Sequence, residues 1–225
     1  MIHDSNEVVS RPKDITFAID QIKKWNLTHP LLKGEFDEQN IGVLGHSFGA
    51  FTSMVIAGIQ PTLDNIKNAG QPKYGLVSGL NDDRVKCCVA LSPQGAHPPF
   101  FSIESFKTLH RPLLGISGTK DKLTGGYPAI DRYNSFEYWP SGNGNHRFVW
   151  IENAAHNDFS DNEGSGTQNF YSPNRKYVSK IVRAASLLFF DFHLKKIPTA
   201  KKYLSTEGLN PYLTGVINKL EVRSK

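Results

Sequence analysis

The sequence predicts an α/β protein with a largely parallel sheet covered by helices on both faces. Three observations carry that expectation. Residues 41–44, 85–91, 113–117 and 148–151 are short apolar runs of strand length. Runs that are apolar throughout, rather than alternating, suit strands buried on both faces. Segments of helical periodicity or glycine- and proline-rich loops separate them.

The elements follow in order. Residues 1–10 read as a ragged lead. Residues 14–25 predict a helix, with Ile15, Ala18, Ile19 and Ile22 at helical spacing and Pro12 just ahead. A polar connection at 34–40 leads into the strand at 41–44. Gly45-His46-Ser47-Phe48-Gly49 interrupts it, and an apolar helix is expected over 50–59. Residues 60–83 contain Pro61, Gly70, Pro72, Gly75 and Gly79. They read as a short helix near 63–67 and then a loop, either bordering a cleft or forming a plain surface excursion. After the strand at 85–91, the three prolines of 92–101 predict a loop. The strand at 113–117 leaves through a turn-rich stretch, 118–126. Residues 127–139 include a helix packed through aromatic side chains, and 148–151 form the fourth strand. Residues 176–193 predict a long amphipathic helix, with Val178, Ile181, Val182, Ala185, Leu188, Phe189 and Phe192 on its core side.

Composition narrows the function classes. The 225 residues suffice for one core, read as a single domain over 1–225. A formal charge of +5 is not gathered into a tract: Lys195-Lys196 and Lys201-Lys202 are only short pairs. With no nucleic-acid fold signature, no nucleic-acid partner is expected. Cys87 and Cys88 are adjacent in a strand, so they face opposite sides and should not bridge. The start lacks a basic-then-apolar leader pattern. The longest apolar run, 184–192, is far too short to span a bilayer and contains Ser186 and Asp191. No stable membrane insertion is expected. The chain reads as soluble and cytoplasmic, with secretion open should a leader lie upstream.

The pentapeptide around Ser47 matches the G-x-S-x-G elbow, in which a strand turns sharply into a helix and projects a serine hydroxyl. The glycines relieve crowding at that turn. The helix N-terminus favours negative charge, and the Phe48 N–H is placed to donate to an oxyanion. A serine hydroxyl needs a base, and an imidazole base needs an orienting carboxylate. Asp121 follows the strand at 113–117 and His156 follows that at 148–151, giving the chain order Ser, Asp, His. Asp131 is the alternative acid. His46 inside the elbow reads as a supporting residue. His97 lies among prolines and is a candidate cleft wall. His146 precedes a strand, at the wrong end for chemistry. His193 sits on the terminal helix. His3, His29 and His110 lack a strand-exit setting. Asp158 and Asp161 near His156 have no metal-loop spacing, so neither a metal nor another cofactor is called for. The expected chemistry is hydrolysis of a small-molecule ester through an acyl-enzyme on Ser47.

These residues resemble the platelet-activating-factor acetylhydrolase and dienelactone-hydrolase-like branch of the α/β-hydrolases. The likeness rests on Arg11-Pro12-Lys13-Asp14-Ile15, Asp20, and the stretch from Ile41 through the elbow to Gly49. Gly118-Thr119-Lys120-Asp121 and Ala155-His156-Asn157-Asp158-Phe159 extend it over nearly the whole chain. The resemblance implies carboxylic-ester hydrolysis, sometimes of short acyl groups on lipids, with Ser47 as nucleophile, Asp121 as acid and His156 as base. Dienelactone hydrolases proper use a cysteine nucleophile, so Ser47 points to general esterase chemistry instead. The family also has several strands before the elbow, and a preceding loop supplies a second oxyanion N–H. Only one helix and one strand fit before Ser47, and no His-Gly-Gly-type segment precedes it. The expectation is therefore a sheet truncated on its N-terminal side, with residues 41–44 as an apolar edge. The chain would then be a portion of a longer protein, a truncated product or a reduced hydrolase. A complementing chain or self-association would fill the gap.

Overall fold

A computed structural model describes residues 5–62, 75–122, 127–160, 174–214, 217 and 219–225. The expected helix at 63–67 lies outside these residues. The first helix, α1 (Ser5–Thr28), begins well before the expected position and takes in most of the supposed lead. Pro12 lies inside it and withholds one backbone hydrogen bond. The helix continues because Val8 is fully buried a turn earlier, and Pro12, Ile15 and Ile19 extend the same stripe. Ala18, expected on that stripe, points outward, and Phe17 is 62% exposed.

The chain then forms β1 (Ile41–His46), α2 (Phe48–Ile56), β2 (Val85–Leu91), α3 (Ile103–Phe106) and β3 (Leu113–Lys120). It continues through α4 (Ile130–Asn134), β4 (Arg147–Ala155), α5 (Arg175–His193), α6 (Pro198–Tyr203), α7 (Thr206–Leu209) and β5 (Leu220–Ser224). Helix α2 stops short of the expected residue 59. Gly58 takes a left-handed conformation at φ 108°, and a Cβ there would lie 2.2 Å from the His110 ring.

The sheet order is β1-β2-β3-β4-β5. The first four strands are parallel, and β5 runs antiparallel to β4 with Glu221 opposite Trp150. The fold is thus α/β with a mostly parallel sheet flanked by helices. β5 was not anticipated, because Leu220-Glu221-Val222-Arg223-Ser224 is short and charged and becomes a strand only against β4. Strands β3 and β4 also run longer than expected, to Lys120 and Ala155, which carries each up to a site residue.

Two apolar layers cover the sheet. Phe51, Met54, Phe101, Phe136 and Trp139 pack on one face, and Ile181, Ala185, Phe189 and Leu209 on the other. Burying each such aromatic or branched side chain contributes roughly 1.5–3 kcal/mol. Cys88 joins the first layer and Cys87 the second, both as buried free thiols, in keeping with the alternation expected of a strand. Among the described residues β1 pairs only with β2 and stands at the sheet edge, where Leu44 is 48% exposed. No described helix is long and apolar enough to cross a membrane.

Candidate active site

The site lies beyond the carboxyl ends of the parallel strands, where such sheets present reactive groups. Ser47 follows β1 directly. Its backbone sits at φ 58°, ψ −113°, an uncommon conformation for a residue with a side chain. Its N–H donates to the Leu91 carbonyl at 3.0 Å, tying the turn to the end of β2. Its own carbonyl accepts from Phe51 N at 3.2 Å and from Gln94 Nε2 at 2.9 Å. The elbow glycines differ in role. A Cβ on Gly45 would lie 2.2 Å from the Gly49 carbonyl oxygen, whereas a Cβ on Gly49 would meet nothing within 4 Å. Only Gly45 is therefore required by the close approach of strand and helix. Phe48 opens α2, so its N–H belongs to the first turn and has no intrahelical acceptor.

His156 follows β4 and starts a short 3-10 turn, His156–Phe159. Asp158 Oδ2 accepts from the Ala155 N–H at 2.8 Å and fixes that turn. Asp158 thus has a structural partner; Asp161 lies outside the described residues. His156 Nε2 is 3.0 Å from Ser47 Oγ, and its Nδ1 is 2.8 Å from Asp121 Oδ1. The structure thus brings Ser47, His156 and Asp121 into one hydrogen-bonded line from three separate strand exits. Asp131 is on α4, and the imidazole meets Asp121 instead.

Asp121 is fully buried. Its Oδ1 also accepts from Ser92 Oγ at 2.9 Å, and its Oδ2 accepts from Ser117 Oγ at 2.7 Å. The Arg132 guanidinium lies 3.5 Å from Oδ2. Burial works to raise this carboxyl's pKa. The His156 hydrogen bond, the Arg132 charge and the Ser117 hydroxyl more than offset it, so Asp121 is held below the usual carboxylate range. Arg132 is itself buried. It donates through Nε to the Asp121 carbonyl at 3.1 Å and through Nη1 to the carbonyls of Ser92 and Pro93. One guanidinium therefore braces the exits of β2 and β3 together. Burial lowers its pKa from the ordinary value, and the Asp121 charge opposes that effect.

Ser92, Ser117, Gln94 and Arg132 were missed by the sequence reading. Ser92 and Gln94 had a usable signal, since they follow β2 at the same end of the sheet as Asp121 and His156. Arg132 had none, because its placement depends on how α4 folds back over the site.

The remaining histidines separate clearly. His46 Nε2 donates to the His156 carbonyl at 2.8 Å, which requires a proton on that nitrogen. Burial, then the neighbouring His156, lowers its pKa and favours the neutral ring. This is the supporting role expected of it. His146 is buried at the opposite end of β4, where its Nδ1 accepts from Leu113 N at 3.3 Å. His97 stacks on Tyr127 with ring centroids 3.5 Å apart. His193 is buried at the end of α5. Among the described residues, no group of three or more His, Cys, Asp or Glu side chains is placed to hold a metal ion.

The chemical capacity of the arrangement is nucleophilic. A hydroxyl at a strained turn faces an imidazole nitrogen, and a buried carboxylate orients the other nitrogen. No protein-family model matches the chain, and no curated protein sequence does.

Proposed function

We propose that the chain is a serine hydrolase of the α/β-hydrolase type, similar to the platelet-activating-factor acetylhydrolase and dienelactone-hydrolase-like branch, and that it cleaves carboxylic esters. The observation that carries this reading is the line from Ser47 Oγ through His156 to Asp121, at 3.0 and 2.8 Å. In the proposed reaction, His156 Nε2 accepts the Ser47 hydroxyl proton as Oγ attacks the acyl carbonyl. Asp121 accepts a hydrogen bond from Nδ1–H and stabilises the imidazolium. The Phe48 N–H donates to the tetrahedral oxyanion. His156 then gives its proton to the departing alkoxide, releasing the alcohol and leaving an acyl ester on Ser47. Water, deprotonated by His156, attacks that ester and releases the acid. The proton returns to Ser47 Oγ. These residues complete the cycle with acid–base and nucleophilic groups alone.

The test is turnover of short-acyl esters, combined with covalent labelling by a fluorophosphonate. Peptide mass measurement should locate the adduct on Ser47. Turnover retained by a folded Ser47→Ala variant would exclude the assignment. Replacing the Phe48 side chain is a poor test of the oxyanion role, because the backbone supplies the donor.

The position of β1 at the sheet edge among the described residues favours a second reading: an α/β-hydrolase-like binding protein that is weak or inactive until another segment pairs with that edge. An open edge leaves backbone groups available to another strand, and Leu44 is half-exposed there. A second chain or a second copy could then supply the further oxyanion N–H. Saturable ester binding without turnover, converted to turnover on association, would favour this reading. Full turnover by a monomer at micromolar concentration would exclude it.

A further inference from the structure

A buried hydroxyl beside the proposed Asp121–His156 pair has no role in the reaction sequence above. Ser92 is fully buried immediately after β2. Its Oγ is 2.9 Å from Asp121 Oδ1 and 2.9 Å from His156 Nδ1, and those two atoms are 2.8 Å from each other. The three form a closed triangle. The donors can be assigned from their chemistry. An ionised carboxylate only accepts, so the hydroxyl donates to Asp121 Oδ1. The hydroxyl oxygen is then turned to accept part of the hydrogen bond from His156 Nδ1–H.

The backbone makes this placement costly. Ser92 lies at φ 60°, in the left-handed region that suits glycine. Its N–H donates to the Ile116 carbonyl at 2.7 Å, and its carbonyl accepts from Arg132 Nη1 at 3.2 Å. Contacts on both sides thus hold a serine where backbone preference alone would select glycine. Strain of this kind persists where the surroundings over-determine the geometry.

We propose that Ser92 is a positioning residue for the Ser47–His156–Asp121 line, its hydroxyl holding the carboxylate and the imidazole Nδ1 in register. The inference rests on the esterase reading given above. Without Ser92, Oδ1 keeps His156 as a partner while Oδ2 remains held by Ser117 and Arg132. The carboxylate stays anchored at Oδ2 and loses one of the two hydrogen bonds that fix Oδ1. Displacements on the order of 1 Å in a reacting assembly cost roughly 100-fold in rate.

The experiment compares Ser92→Ala with Ser92→Gly. Both delete the hydroxyl, but glycine also relieves the left-handed backbone, so it should be at least as stable as alanine and keeps the test valid if alanine misfolds. In both variants kcat should fall roughly 10-fold to 100-fold while KM stays within about twofold. The downfield proton resonance of His156 Nδ1–H should shift or broaden in Ser92→Gly while the rest of the spectrum stays native-like. Wild-type kcat with an unmoved resonance overturns the proposal. If the native chain neither turns over esters nor labels at Ser47, the esterase reading fails. The resonance still decides the role of Ser92: a shift supports it, and an unmoved line refutes it.

Discussion

Arg132 and Asp121 form an ion pair at 3.5 Å in which the side chains are only 6% and 0% exposed. Removing one partner from such a pair strands the other's charge and typically costs about 3–5 kcal/mol. Arg132→Met should therefore lower unfolding stability by about that much at pH 7, and Arg132→Lys by less. The pH dependence has a definite sign. Asp121 is depressed in the folded state, so its contribution is full above the unfolded carboxylate value of about 3.9 and is lost as pH falls through the lower folded value. Without Arg132, one of the groups that hold the carboxyl down is gone, so its folded value moves toward the unfolded one and the acid-induced loss becomes smaller. Urea midpoints measured from pH 3 to 7 would show this. A loss below 1 kcal/mol in Arg132→Met would mean that the pair is not what fixes the acid.

The proposed line predicts unequal effects at its middle and at its acid end. His156→Ala should remove nearly all esterase rate. Asp121→Asn keeps the shape but disturbs the imidazole tautomer, and a drop of about 10⁴-fold in kcat is expected by analogy with serine proteases. Pre-steady-state kinetics on variants with native circular dichroism would measure both. Near-native rates in either variant would remove that residue from the mechanism.

The two elbow glycines should respond in opposite ways. Gly45→Ala places a Cβ 2.2 Å from the Gly49 carbonyl, a backbone atom that cannot swing aside. The expected cost is about 1–3 kcal/mol, with loss of activity as the elbow shifts. Gly49→Ala adds a methyl with nothing within 4 Å, inside α2. Exchanging glycine for alanine in a helix contributes about 0.8–1.0 kcal/mol, so this variant should be as stable as the native chain or more so. Thermal unfolding of the pair is the check, and equal destabilisation of both would contradict the geometry.

Acid sensitivity should also come from His146. Burial, then the charges of Lys225 and Arg147, lowers its pKa from 6.5 to about 4. A depressed histidine contributes stability above the unfolded value, and this is lost as pH falls from about 6.5 to 4. The full difference is worth at most about 3 kcal/mol. His146→Asn retains an acceptor near the Leu113 N–H but does not titrate. Its stability should therefore fall less between pH 7 and 4.5 than that of the native chain. Parallel slopes in urea titrations would assign the acid sensitivity to other groups.

The α/β class, the strands β1 to β4, and the three residues whose geometry supports the functional proposal are legible in the chain before it folds. This holds because each signal is local. Apolar runs mark buried strands, Gly45 marks a turn with no room for a Cβ, and Ser47, Asp121 and His156 each follow a strand at the same end. Long-range packing accounts for the rest. Val8 turned an expected ragged lead into helix by burying itself across Pro12. β5 exists through pairing with β4, which its own charged pentapeptide does not announce. Arg132 and Ser92 reach Asp121 from 11 and 29 residues away. Contacts of that kind leave no periodicity in the chain, because they depend on where folded elements meet rather than on neighbouring residues.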